Sequence, residues 1–142
     1  MGKVRKLVVD SSVVVKWLNS QDEKYLNQAD RILRDCEKKK VSLYAPELGK
    51  YEVGNALLYK GLDDSLAKTS LATLYFLPIE FVPLSEKEAT ESLDIACKSN
   101  ITYYDAVFVT LAKDIGATLV TDNPKHQKLV KGIKVISLKN YQ

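Results

Sequence analysis

The chain has 142 residues, 46% of them hydrophobic and 27% charged, a balance that supports a packed core under a solvated surface and excludes intrinsic disorder. Its formal net charge of +3 is too mild to mark nucleic-acid binding by charge alone. No stretch approaches the ~20 apolar residues of a membrane span, and Leu7–Val9 is too short for a signal-peptide core, so a cytoplasmic protein with no membrane association is expected.

The chain then alternates strands and helices from end to end. Lys6–Val9 is a short apolar run ending in Asp10 and reads as a strand buried on both faces. Ser11 and Ser12 are N-cap candidates for a helix over Val13–Leu18. Lys24–Lys38 places Leu26, Ala29, Leu33 and Cys36 at helical spacing. Val41–Ala45 is a second strand stopped by Pro46, which opens a helix running to about Lys60 and ended by Gly61. Asp63–Tyr75 is a fourth helix, and Pro78 and Pro83 bracket a strand at Ile79–Val82. Ser85-Glu86-Lys87-Glu88 is a capping box for a helix to about Ser99. Thr102 caps another that runs to Ile115 and closes at Gly116. Ala117–Thr121 is a strand, a short helix lies near Pro124–Val130, and Lys134–Ser137 is the last strand. This order points to an α/β chain, residues 1–142 as a single domain, with a central parallel sheet and helices on both faces. Cys36 and Cys97 show no metal-ligand spacing and fall on apolar helical positions, so they are expected as buried free thiols.

Several chemistries lack their residues. There is one histidine, His126, no G-x-S-x-G turn, and neither a G-x-G-x-x-G nor a P-loop motif. The carboxylates remain. Asp10 ends the first strand and Asp122 ends the fourth. In open parallel sheets ligands sit beyond the carboxyl ends of strands where strand order reverses, so neighbouring first and fourth strands would put both acids in one crevice. Either acid alone also suits a turn or a helix cap. Glu52 falls between Leu48, Ala56 and Tyr59 on the helical wheel, an apolar arc on which an unpartnered carboxylate is costly. Asp105 lies in a helix first turn, where capping by Thr102 is the simpler explanation.

Together the four acids would repel one another unless a divalent cation joined them. Mg²⁺ or Mn²⁺ prefers such hard oxygen donors, and the chemistry it brings is phosphodiester hydrolysis. Thr121 and Asn123 are candidates to orient the ligands from behind, as are Ser12 and Asn55 beside their respective acids. The segment after Asp122 carries Lys125, Lys128, Lys131, Lys134 and Lys139 and no acid, either a solvated surface or a basic rim for a phosphate backbone.

Four short stretches in order resemble the PIN-domain family, and specifically the VapC-type toxins of prokaryotic toxin–antitoxin pairs. They are Val8-Val9-Asp10-Ser11-Ser12-Val13, Pro46 through Glu52-Val53-Gly54-Asn55-Ala56-Leu57, Tyr104-Asp105-Ala106 with Val109 and Leu111-Ala112, and Gly116-Ala117-Thr118-Leu119-Val120-Thr121-Asp122. The resemblance covers essentially the whole chain. It implies a three-layer α/β/α sandwich, usually a homodimer, with Mg²⁺- or Mn²⁺-dependent endoribonuclease activity on RNA and a small antitoxin that blocks the site. It also implies that Asp10, Glu52 and Asp105 bind metal. The family often reads Thr-x-Asp in the fourth motif, which would put its acid at Asn123. Here Asp122 comes one residue early, so either Asp122 supplies the charge or Asn123 takes the place as a neutral ligand. The same pattern suits two other roles: a PIN nuclease of RNA maturation or decay with no antitoxin, and a non-catalytic RNA- or protein-binding PIN domain. A receiver domain also places an acid after its first strand, but it needs an acidic pair there that this chain lacks.

Overall fold

Leu7, Val8 and Val9 are 1%, 0% and 0% exposed, as a strand covered on both faces must be. They belong to β1 (Arg5–Val9) in a computed structural model that describes residues 2–142. The chain continues through α1 (Ser11–Leu18), α2 (Leu26–Glu37), β2 (Val41–Pro46), α3 (Leu48–Leu58) and α4 (Asp64–Leu74). It then forms β3 (Ile79–Val82), α5 (Glu86–Ser99), α6 (Tyr103–Ile115), β4 (Thr118–Thr121) and β5 (Val135–Ser137).

The five strands make one parallel sheet in the order β3-β2-β1-β4-β5. Alternation along β1 sorts the core. Leu7 and Val9 pack with Leu43, Val120 and the helices α1 to α4, while Val8 packs with Leu119, Phe108, Val109 and the α5–α6 layer. Burying side chains of this size contributes about 1.5–3 kcal/mol each. The result is the expected α/β/α sandwich. The order reverses at β1, whose neighbours are β2 on one side and β4 on the other. Val9 is in register with Val120, so Asp10 and Asp122 emerge from adjacent strand ends.

Helix signals mark their ends well where a side chain does the capping. Asp63, Ser85 and Thr102 each accept a backbone N–H at the start of α4, α5 and α6. Gly116 closes α6 at φ 66°, a conformation that suits glycine.

Other boundaries differ from the expectations. Pro46 belongs to β2, opposite Val82, and α3 starts at Leu48. The chain tolerates proline there because the next residue, Glu47, donates to the Val82 carbonyl at 3.0 Å. The N-cap of α1 is Asp10, not Ser11 or Ser12. α2 starts at Leu26 after Tyr25, whose left-handed φ of 57° interrupts the helix expected from Lys24. The helix expected near Pro124–Val130 is a 3₁₀ turn, Gln127–Leu129, and a second turn, Leu138–Asn140, follows β5. Cys97 is exposed, because α5 turns Ser92, Ile95 and Ala96 inward instead, and Cys36 on α2 is half-buried against the core. Among the described residues no helix is long and apolar enough to cross a membrane.

Candidate active site

Asp10 ends β1 and caps α1, so two elements fix it at once. Its backbone N–H donates to the Val120 carbonyl at 3.0 Å, pinning it against β4. Its Oδ2 accepts from Ser12 Oγ at 2.6 Å, from Thr121 Oγ1 at 3.1 Å and from the Ser12 N–H at 3.4 Å. The Oδ1 atom takes none of these bonds. Burial raises the Asp10 carboxyl above its ordinary pKa. The Ser12 and Thr121 bonds pull it down and the nearby Asp105 charge pushes it up, with a net rise. The structure thus brings two of the expected supports, Ser12 and Thr121, onto the first acid.

Glu52 faces the same end of the sheet from α3. Ser11 Oγ donates to its Oε1 at 2.7 Å, joining the first turn of α1 to α3. Burial raises this carboxyl too; Ser11 lowers it and the charges of Asp10 and Asp105 raise it, again with a net rise. Of the apolar arc expected around Glu52, Leu48 and Ala56 pack against the core, but Tyr59 does not. Tyr59 is 80% exposed, and the buried stripe of α3 is Gly49, Val53 and Leu57. Glu52 stands at the border of that stripe, half-buried. Asn55 is exposed and lines a cleft between α3 and α4 with Lys50, Tyr51 and Tyr75.

Asp105 lies in the first turn of α6. Thr102 Oγ1 accepts its backbone N–H at 3.0 Å, as a cap does. The carboxylate itself turns to His126, with Oδ2 at 3.6 Å from Nδ1. His126 is a neighbour the sequence reading did not find, although it is the one histidine and lies four residues after Asp122. Lys125 and Lys128, its near neighbours in sequence, are exposed.

Asp122 has a different role. Its backbone N–H donates to Ser12 Oγ at 3.1 Å, but its Oδ2 lies 3.0 Å from Lys16 Nζ. The Lys16 side chain is 1% exposed and also pairs with Glu23 at 3.0 Å, and Glu23 pairs with Lys60 at 2.9 Å. Burial works against the charge on Lys16, yet the Glu23 and Asp122 bonds outweigh it and hold the ammonium above the ordinary lysine pKa. Lys16 was also missed, though it is the single ionisable side chain between Ser11 and Leu18. Asn123 is exposed, and its backbone N–H donates to Thr121 Oγ1 at 3.2 Å.

Asp10, Glu52 and Asp105 therefore share one electrostatic environment, and the Asp122 carboxylate pairs with Lys16, a cation it shares with Glu23. Among the described residues no three His, Cys, Asp or Glu side chains form a ready cage for a metal ion. The donor set still fits a hard divalent ion. It consists of carboxylate oxygens, two of the groups resist ionisation, and Mg²⁺ typically binds through one or two carboxylates with water in the other positions.

A family model described as the PIN domain matches residues 7–132. Among solved structures, a chain of VapBC2 from Rickettsia felis bound to a promoter DNA fragment is similar at TM-score 0.69 and 15% identity, covering 93% of this chain and 98% of that one. PAE2754 from Pyrobaculum aerophilum is similar at TM-score 0.66 and 24% identity, over 95% and 90% of the two chains. VapC20 of Mycobacterium tuberculosis, described as a sarcin-ricin loop cleaving toxin, is similar at TM-score 0.67 and 11% identity, over 86% and 93%. At these identities the likeness is one of fold. None of the curated proteins matches the sequence significantly.

Proposed function

The chain belongs to the PIN-domain family, and from that premise we propose that it is a Mg²⁺- or Mn²⁺-dependent endoribonuclease, the toxin of a toxin–antitoxin pair. The observation that carries this reading is the pair of acids Asp10 and Glu52 held at one end of the sheet: burial raises both carboxyls, and the nearby charges of Asp105 at both and of Asp10 at Glu52 add to the rise. Carboxylates crowded at the carboxyl end of β1 gain most from a cation brought in from solution.

On this reading Asp10, Glu52 and Asp105 hold the ion. Ser12 and Thr121 would hold the Asp10 carboxylate through Oδ2, with Oδ1 outside those bonds, and Ser11 would hold Glu52 through Oε1. A bound divalent ion supplies an acidified water and offsets the charge on a scissile phosphate. The exposed Lys125 and Lys128, close in sequence to His126, offer positive charge to a polyanion. A partner surface is also available. Leu58, Tyr59, Tyr75 and Phe76 are 72%, 80%, 65% and 87% exposed on α3 and at the end of α4, an apolar face suited to an antitoxin or a second copy.

The test is cleavage of single-stranded RNA by the purified chain, with Mn²⁺ and with excess EDTA. Cutting that needs Mn²⁺ and is lost in Asp10→Asn supports the reading; equal cutting in EDTA refutes it. The lack of a ready cage favours a second reading, a binding-only domain. An unaltered Mn²⁺ signal at millimolar metal would select that second reading.

A further inference from the structure

Lys16 is a buried cation in the layer beneath the crevice, and nothing in the proposed chemistry uses it. Its ammonium bridges two acids from separate segments: Asp122, after β4, and Glu23, between α1 and α2. Glu23 in turn takes Lys60 from the end of α3, and Lys60 Nζ also donates to the carbonyls of Asn19, at 3.2 Å, and Gln21. Gln21 Nε2 returns a bond to the Lys60 carbonyl at 2.9 Å. The chain Asp122–Lys16–Glu23–Lys60 thus ties four segments together.

What it fixes at its upper end matters for the site. The Asp122 backbone N–H donates to Ser12 Oγ, and that hydroxyl donates in turn to Asp10 Oδ2. Holding the Asp122 side chain from below sets the position of its main chain. That main chain fills the acceptor position on Ser12 Oγ, so the Ser12 hydroxyl has its proton free for Asp10. The neighbouring Asn123 N–H does the same for Thr121 Oγ1, the other hydroxyl on Asp10.

We infer that Lys16 is a positioning residue: through the Asp122 carboxylate it aligns the Ser12 and Thr121 hydroxyls on Asp10, and Asp122 serves as the anchor of this linkage. The inference rests on the reading of Asp10 as a metal ligand only for its metal-binding consequence.

The sign of one measurement separates positioning from simple charge. Removing a cation beside a cation site strengthens metal binding if only charge matters. It weakens binding if the cation aligns the ligand. Mn²⁺ affinity of the full chain is measured by electron paramagnetic resonance for wild type, Lys16→Met and Lys16→Arg, well below each melting temperature. We expect Lys16→Met to bind about 10-fold more weakly and Lys16→Arg to recover most of the loss. Tighter or unchanged binding in Lys16→Met overturns the inference. A metal-free readout keeps the two proposals apart: exchange of the Asp122 and Asn123 amide hydrogens, which the linkage protects. Faster exchange there in Lys16→Met, with the β1 amides unchanged, supports the inference even if wild type binds no Mn²⁺, a result that would overturn only the metal reading. Unchanged exchange overturns the inference. If Lys16→Met does not fold, Asp122→Ala breaks the same link with Lys16 still paired to Glu23, and the exchange of Asn123 decides in the same way.

Discussion

Two aspartates sit in low-solvent surroundings in this molecule, and the chain treats them oppositely. Asp35, on α2 and 5% exposed, accepts the Tyr141 hydroxyl at 2.7 Å and has Arg31 Nε at 3.5 Å. Burial pushes its pKa up, but Tyr141, Arg31 and Lys40 more than reverse that, and the carboxyl lies below its ordinary value. Asp10 receives hydroxyls and an amide instead, and among the described residues no Lys, Arg or His pairs with it; its carboxyl stays raised. At Asp10 the hydrogen bonds do not offset the loss of water around the charge. The latch at Asp35 is electrostatically complete. On the proposed reading, a divalent cation would supply the positive charge that the crevice at Asp10 lacks.

That contrast can be broken in order of expected effect. Asp10→Asn and Asp105→Asn should each lower Mn²⁺-dependent RNA cleavage about 100-fold or more, whereas Asp35→Asn should leave the rate per folded molecule near wild type. Equal losses in all three would erase the difference. Mn²⁺ at 100 times its dissociation constant should stabilise wild type by about 2.7 kcal/mol in thermal melts and leave Asp10→Asn unshifted. Tyr141→Phe, which takes a donor from a buried carboxylate, should cost about 1–3 kcal/mol in urea unfolding, with Mn²⁺ affinity unchanged.

The pH dependences should also run in opposite directions. Asp35, depressed in the fold, contributes stability that is present above the ordinary aspartate range and lost as pH falls through its lower value. Asp10, raised in the fold, contributes stability that is present below that range and lost as pH rises through its higher value. Metal-free Asp10→Asn should therefore melt slightly above metal-free wild type at neutral pH, and a lower melting point there would contradict the account. At the alkaline end Tyr141 is pushed up to about 12 by burial and by Asp35. Its stabilising effect is complete below the free tyrosine value of about 10 and lost as pH rises through the folded value, so Tyr141→Phe should flatten the alkaline limb of the stability curve.

Much of this was legible along the chain because it is local. An apolar run ending in an acid gave β1 and Asp10. Ser85, Thr102 and Gly116 marked helix ends through side-chain or backbone chemistry contained within a turn. The neighbouring of β1 and β4 was only a condition along the chain, and the Val9–Val120 register meets it. The rest depends on partners far away in sequence. Lys16 looks like a blemish in an apolar helix until Asp122 is seen beside it, and the Tyr141–Asp35 bond spans 106 positions. The apolar arc drawn around Glu52 was misleading because a helical wheel cannot say which apolar side chains a neighbour covers, and nothing covers Tyr59. Pro46 was misread because its place in β2 depends on the next residue's bond to β3.

The central strand is made well before the strand that completes its second edge. β1 gains β2 early, but its other edge waits for β4, and the Asp10–Thr121 bond closes across 111 positions. A chain growing from the ribosome folds from its N-terminal end as it emerges. Asp10 and Glu52 leave the tunnel long before Thr121 and Asp122 can reach them. A nascent or truncated chain that lacks β4 therefore carries the acids without the crevice, and the crevice is assembled only once β4 has emerged.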